Sequence, residues 1–118
     1  MLKRSHRFHG YGSLRRTYSH GQTVRGSLIS LRYGSRPAGK PYRVAVVVSR
    51  KVHKSAVVRN RIRRRVYEWM RQSETVPLAT DLIFTVFSDQ VATLGAEQLN
   101  SLLSELLTKA SLQVKKSV

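Results

Sequence analysis

The chain has 118 residues, no cysteine and a formal net charge of +16. This length predicts one domain with a single core, spanning residues 1–118. The lack of cysteine excludes disulfide scaffolds, thiolate metal sites and cysteine nucleophiles, and it fits a cytoplasmic location. The longest strictly apolar run, Val44–Val48, is too short to span a membrane. The basic N-terminus has no apolar stretch behind it, so a signal peptide is not expected.

The positive charge is concentrated in one part of the chain. Residues 1–72 hold 19 lysines and arginines and a single acid, Glu68, whereas residues 73–118 hold three lysines and five acids. A charge carried only for solubility would be spread more evenly. The asymmetry therefore predicts a polyanionic partner for the first 72 residues, with nucleic acid the leading candidate.

The first half of the chain predicts one short helix and two strands. Apolar spacing indicates a helix at about 12–19, closed by the stop signal His20-Gly21. Val24–Tyr33 alternates like a strand, and the glycines and prolines of residues 34–41 predict a loop. Tyr42–Ser49 is β-branched and almost continuously apolar, so it is predicted to be a central strand.

An amphipathic helix is predicted at about 56–72. Its apolar stripe runs along i, i+4, i+8 and i+11, at Val58, Ile62, Val66 and Trp69. Asn60, Arg64 and Arg71 lie on the opposite side, with Arg61 beside them. The helix thus has one face for the core and one cationic face.

The last third predicts a strand and a helix after a loop that ends at Pro77. Asp81–Ser88 reads as a buried strand, Thr93 as an N-cap, and the following leucines as a helix to about residue 112. Residues 1–10 and 114–118 are expected to be flexible. The resulting order is a helix, a strand, one or more further strands, and then helix, strand and helix, roughly αβββαβα. This is an α+β fold built as a single α/β sandwich in which a helix connects two strands of one sheet.

No catalytic or metal site of the polypeptide is predicted. The four histidines lie in basic segments without the cysteines or carboxylates that would complete a zinc site; they are His6, His9, His20 and His53. The acids are scattered, whereas a two-metal nuclease needs clustered carboxylates. Asp81 and Asp89, which flank the last strand, are assigned to turn or cap chemistry.

The strongest signal is the stretch from Ser49 to Arg65. From Arg50 to Arg65, eight of sixteen residues are lysine or arginine and none is acidic. A strand leads through a basic turn into a helix that begins with Ala56-Val57-Val58-Arg59-Asn60-Arg61. Guanidinium groups beside helix N-terminal amides suit phosphate, and without a polyanion their mutual repulsion would be costly.

These residues resemble those of the protein subunit of bacterial ribonuclease P. The resemblance rests on Arg43–Lys51, on Ala56–Arg64 with its Arg-Asn-Arg signature, and more loosely on Leu2–Phe8 and Tyr18–Gly21. It covers nearly the whole chain, from Leu2 to about Leu112. It implies a ribosomal-protein-like fold with a left-handed β-α-β crossover through the Arg-Asn-Arg helix.

The resemblance also implies a function in tRNA processing. The family's protein binds a large catalytic RNA, and that RNA uses Mg²⁺ to hydrolyse precursor tRNA and so produce the mature 5′ end. The metal belongs to the RNA active site, and no metal site or obligate protein partner is expected on the chain. The protein holds the single-stranded 5′ leader in a cleft between the first helix and the sheet.

The resemblance divides the candidate residues into two groups. The RNA-binding group is Arg50, Lys51, Lys54, Arg59, Asn60, Arg61, Arg63, Arg64 and Arg65. The leader cleft is formed by Leu14, Tyr18, Tyr33 and Ser49. Tyr18 and Tyr33 are equally open to core packing, since aromatic residues commonly fill cores.

Three other classes compete with this interpretation. A basic structural ribosomal or RNA-assembly protein fits the composition equally well, and only the Arg-Asn-Arg context argues against it. A DNA-binding domain is disfavoured because no helix and tight turn precede residues 56–72. A protein-only nuclease is disfavoured because clustered carboxylates are missing.

Overall fold

The computed structural model describes Thr17, residues 21–37, 39–72 and 79–110. The predicted helix at 12–19, with Leu14 and Tyr18, falls outside these residues except for Thr17. The loop at Pro77 and both chain ends predicted to be flexible also lie outside them.

The described strands form one four-stranded sheet. They are β1 (Gln22–Arg25), β2 (Ile29–Ser35), β3 (Arg43–Val48) and β4 (Thr80–Val86), in the spatial order β1-β2-β4-β3. β1 pairs with β2, and β2 with β4, in antiparallel fashion, whereas β3 pairs with β4 in parallel. The sheet is therefore mixed.

Two helices and a short 3₁₀ helix complete the described fold. They are α1 (Ala56–Gln72), the 3₁₀ helix (Asp89–Ala92) and α2 (Ala96–Lys109). α1 matches the predicted bounds, and it connects the parallel neighbours β3 and β4, as expected for a helix joining two strands of one sheet. The left-handed sense of that crossover stays a prediction.

The prediction of a single strand over Val24–Tyr33 was wrong, because this segment is a hairpin that turns at residues 26–28. The turn depends on Gly26. A Cβ atom there would lie 2.5 Å from the carbonyl oxygen of Ile29, too close for any side chain. The alternation itself was correct, since Ile29 and Leu31 are buried on one side.

Two further predictions are corrected by the sheet order and the helix ends. β3 lies at an edge of the described sheet rather than at its centre, and its burial alternates along the strand. The fully enclosed strand is β4. Thr93 closes the 3₁₀ helix, whereas Gly95 is the N-cap of α2, with its N–H donating to Gln98 Oε1 at 3.2 Å. α2 ends at Lys109, earlier than predicted.

The two faces of the sheet differ in composition. We call the side that packs against α1 and α2 the helix face; its residues are Ile29, Leu31, Tyr33, Val44, Val46, Val48, Leu82, Phe84 and Val86. Alternation puts the remaining side chains on what we call the polar face, which consists of Ser30, Arg32, Arg43, Ala45, Val47, Asp81, Ile83 and Thr85.

The core lies between the helix face and the two helices. Ile62, Val66 and Met70 of α1 and four leucines of α2 are buried against the strands. The predicted apolar stripe of α1 is thus confirmed, with Trp69 partly buried at its end. The cationic side of α1 is left facing away from the core, which positions the candidate site.

Candidate nucleic-acid interface

The turn between β3 and α1 is built by backbone and side-chain hydrogen bonds within residues 49–59. The Val52 N–H donates to the Ser49 carbonyl at 3.0 Å, and the Ser55 N–H donates to His53 Nδ1 at 3.0 Å. Ser55 caps α1, because its Oγ accepts from the Val58 N–H at 3.4 Å. The turn therefore has a defined shape that holds its lysines and arginines outward.

Arg59 braces this turn from the first turn of α1. Its Nη1 donates to the carbonyl oxygens of His53 at 2.9 Å and Lys54 at 3.0 Å. The side chain is partly buried, and part of its donor capacity is used inside the protein. Arg59 thereby fixes the position of its neighbours.

Arg65 is anchored in a similar way at the other end of the basic run. It donates from Nη1 to the Val91 carbonyl at 2.6 Å and from Nη2 to the Leu94 carbonyl at 2.5 Å. These bonds tie α1 to the segment that contains the 3₁₀ helix. Consecutive arginines in the sequence therefore have different surroundings, which no local pattern reveals.

Six of the nine predicted RNA-binding residues are exposed. These are Arg50, Lys51, Lys54, Asn60, Arg61 and Arg64. Arg63 is partly buried and donates from Nη2 to the side-chain oxygen of Asn60. The first turn of α1 contains no acidic residue. The turn and the outer side of α1 together form what we call the basic surface, defined by those six exposed residues.

One acid, Glu68, follows the basic surface on α1 and is paired locally. Arg71 Nη2 lies 2.9 Å from Glu68 Oε2. This hydrogen bond is the largest of the contributions that lower the pKa of Glu68 to about 2. The carboxylate is thus neutralised by its own neighbour and detracts little from the positive potential of the helix.

The polar face contains an ion-pair cluster that the sequence did not indicate. Arg43 binds Asp81 in a bidentate manner, Nε to Oδ1 at 2.7 Å and Nη2 to Oδ2 at 2.8 Å, and Arg36 Nε lies 3.6 Å from Oδ1. Asp81 is 5% exposed. Its assignment to turn or cap chemistry was therefore wrong, because the strand register brings Arg43 beside it from 38 residues away.

The same cluster fixes Thr17 against the sheet. Thr17 Oγ1 lies 3.5 Å from Asp81 Oδ2, and its carbonyl oxygen accepts from Arg32 Nε at 3.1 Å and from the Gly21 N–H at 2.8 Å. A Cβ at Gly21 would stand 2.4 Å from that carbonyl oxygen, so only glycine fits there. Thr17 itself therefore lies on the polar face.

Of the four predicted leader-cleft residues, the structure describes Tyr33 and Ser49, and these two lie apart. Tyr33 lies in register with Leu82, on the helix face, where it packs against the core, and its hydroxyl donates to Gln22 Oε1 at 2.9 Å. Ser49 is exposed just beyond Val48, at the other end of the sheet, roughly 13 Å or more along the strands. Tyr33 thus has the surroundings of the core-packing alternative, and Leu14 and Tyr18 lie outside the described residues.

The part of the chain that the structure describes shows neither a cluster of metal-ligand side chains nor a helix suited to span a membrane. Among these residues, no group of three or more histidine, aspartate or glutamate side chains is close enough to hold a metal ion. No described helix combines the length and the apolar character needed to cross a bilayer.

Comparison with known proteins places these features in one family. The family model for ribonuclease P matches residues 2–111. The ribonuclease P protein component of a Synechococcus species is 32% identical over 126 aligned positions, covering 100% of this chain and 91% of the relative. That of a Picosynechococcus species is 37% identical over 65 residues, 55% of each chain.

Solved structures show the same fold. The ribonuclease P protein of Staphylococcus aureus superposes with a TM-score of 0.78 at 22% identity, covering 91% of this chain and 96% of that one. The protein from Thermotoga maritima gives 0.74 at 20% identity, covering 87% and 96%.

Proposed function

This chain belongs to the ribonuclease P protein family, and from that premise we propose which of its surfaces hold RNA and what each contributes. The protein is a subunit of the ribonucleoprotein endoribonuclease ribonuclease P, which processes the 5′ end of tRNA, and it associates with the RNA of that enzyme.

The basic surface binds the catalytic RNA. The observation that carries this assignment is the set of six exposed side chains on a turn and a helix held rigid by Ser55 and Arg59. Guanidinium and ammonium groups at fixed spacing contact successive phosphates and release counterions, which supplies most of the binding free energy. Arg59, Arg63 and Arg65 support these contacts by positioning their neighbours.

The polar face binds the single-stranded 5′ leader of the precursor tRNA. This face is cationic near Thr17, where Arg32, Arg36 and Arg43 exceed the single charge of Asp81. Its middle consists of small, partly exposed side chains, Ser30, Ala45, Val47 and Thr85. Small side chains let a nucleic-acid backbone approach such a strip closely. Tyr33 is not part of this surface because it faces the helices.

The hydrolysis itself takes place on the RNA, with Mg²⁺ held there. In this proposal the polypeptide contributes the binding and positioning of the two RNAs. A cytoplasmic location follows from this proposal, because the RNA partner and the substrate are found there.

Reconstitution tests the proposal. The chain would be mixed with a bacterial ribonuclease P RNA at low Mg²⁺, and cleavage of a precursor tRNA followed. We expect strong stimulation over RNA alone and no cleavage by protein alone. A double variant, Arg61→Ala with Arg64→Ala, should keep its melting temperature and lose most of the stimulation.

Two results would contradict the proposal. The absence of stimulation together with tight binding to ribosomal RNA would favour a structural RNA-binding protein. Metal-dependent cleavage by highly purified protein would show that the polypeptide has an active site of its own.

A further inference from the structure

Phe87 is a large apolar side chain left in solvent. It is 55% exposed, although it directly follows β4, whose residues are almost all buried. Burial of a phenyl ring would stabilise the fold through the hydrophobic effect, and an exposed ring does not provide that stabilisation. In the described part of the chain only Val57 is a comparably exposed large hydrophobic residue, and it lies on α1.

The backbone on both sides of Phe87 is fixed. Its N–H donates to the carbonyl oxygen of Leu28 at 2.8 Å, which extends the β2–β4 pairing by one residue. Immediately after it, Ser88 Oγ accepts from the Gln90 N–H at 3.2 Å and starts the 3₁₀ helix. The ring is therefore exposed at a fixed place. Because its backbone is already ordered, binding a partner there loses little conformational entropy.

The ring stands on the polar face, at the end nearest the basic turn. Side chains alternate along a strand, so Phe87 points to the same side as Thr85 and away from the helices. Val48 and Val86 are the last β3–β4 pair, so Ser49 and Phe87 are the next residues on neighbouring strands, roughly 5 Å apart at their backbones. Arg50 and Lys51 follow at once, both exposed.

We propose that Phe87 stacks on one base of the 5′ leader, while Arg50 and Lys51 neutralise the adjoining phosphates. This assignment rests on the proposed function. An aromatic side chain beside cationic groups is how proteins bind single-stranded nucleic acid with little sequence preference. A purine should bind better than a pyrimidine because its larger ring system stacks more strongly.

The charge of the residues around Phe87 and the small area of its apolar surface both favour RNA over a protein as the partner. The two residues that continue β3 past Ser49 are cationic, and the exposed acid on the Phe87 side, Asp89, is two residues further on. A protein partner would need a broader apolar patch than one ring provides.

The experiment uses the reconstituted holoenzyme and precursor tRNAs with 2-aminopurine at successive leader positions. Affinity for leader-bearing and leaderless tRNA is measured for wild type, Phe87→Ala, Phe87→Trp and the neighbouring control Gln90→Ala. We expect Phe87→Ala to reduce the leader-dependent gain about fivefold or more and to abolish fluorescence quenching at one leader position. Phe87→Trp should retain both, and Gln90→Ala should behave like wild type.

Several outcomes would overturn the assignment. Phe87→Ala could reduce the affinity for leader-bearing and leaderless tRNA equally, or it could leave the fluorescence quenching intact. It could instead change the sedimentation of the free protein, which would assign the ring to a contact between two copies. A wild-type holoenzyme with no leader-dependent gain at all would overturn the leader-binding proposal as well. A normal gain that survives in Phe87→Ala would overturn only the role of Phe87.

Discussion

The helix face of the sheet is almost entirely apolar, whereas the polar face carries arginines, an aspartate and small hydroxyl side chains on the same three strands, β2, β3 and β4. The helix face is covered by α1 and α2 and supplies the core. The polar face has buried polar groups around Asp81 at one end and an exposed phenyl ring at the other. The helix face thus supplies the apolar core, whereas the polar face combines a buried ion-pair cluster with exposed side chains that are open to a ligand.

The largest expected effect comes from the helix face. Phe84→Ala removes a fully buried ring from the central strand, and we expect it to lower the free energy of unfolding by about 3–5 kcal/mol. Urea unfolding followed by circular dichroism measures this loss. A loss below 1 kcal/mol would mean that the helix face tolerates a cavity, and the contrast between the faces would disappear.

The second effect tests whether the polar face also contributes stability. Asp81→Asn keeps the shape of the side chain but removes the charge that Arg43 binds through two hydrogen bonds. We expect a loss of about 1.5–3 kcal/mol in urea unfolding. The exposed acid Asp89, replaced by asparagine, is the matched control and should change stability little. Equal effects of the two substitutions would show that the ion-pair cluster is not a structural element.

A third effect separates two arginines of α1 that lie one helical turn apart. Arg65→Ala removes two hydrogen bonds to carbonyl oxygens, so we expect a loss of about 1.5 kcal/mol in stability. Arg61→Ala should leave the melting temperature unchanged. It should instead reduce the slope of log K against log salt for the catalytic RNA by about 0.7–0.9.

Thermal melts and salt titrations of both variants provide the comparison. If Arg61→Ala left the slope unchanged, Arg61 would not contact a phosphate. If Arg65→Ala changed only the slope, its bonds to Val91 and Leu94 would contribute nothing to the fold.

The smallest effect concerns the pair of Glu68 and Arg71 on the surface of α1. The pKa of Glu68 is lowered from 4.5 to about 2, with the hydrogen bond from Arg71 as the largest cause. Because the folded-state pKa is depressed, this stabilisation is complete above about pH 4.5 and is lost as the pH falls towards 2. Both side chains are well exposed, so the contribution is small.

The melting temperatures of wild type and Glu68→Gln measured between pH 7 and pH 2 check this expectation. A small difference at pH 7 should shrink as the pH falls below 4.5. A difference that stayed constant down to pH 2 would mean that the pair does not act through the charge of Glu68.

Patterns that extend over many residues predicted the fold well. The bounds of α1 and its buried stripe followed from helical periodicity, and β3 and β4 followed from dense apolar runs. Local signals failed at the hairpin of β1 and β2, where a short turn interrupts an alternating run. They also failed at Thr93, because the N-cap of α2 is Gly95, which has no side chain to signal a cap, while Thr93 ends the 3₁₀ helix.

The candidate site divides in the same way. The exposed residues of the basic surface could be named from the sequence because charge density and helical phase are local properties. The internal partners of Arg59 and Arg65 could not, since carbonyl acceptors leave no trace in the side-chain sequence. Tyr33 was placed in the cleft by analogy, although its register with Leu82 puts it on the helix face.

By itself, the sequence determined a basic α+β domain, its family and the helix that presents the Arg-Asn-Arg signature. Those properties depend on composition and on spacings within a few turns or strands. Only the tertiary structure decided that Asp81 is buried against Arg43, that Arg65 is an anchor, and that Phe87 stands beside the basic turn. Each of these depends on strand order and register, which set neighbours dozens of residues apart and are not encoded in any local pattern.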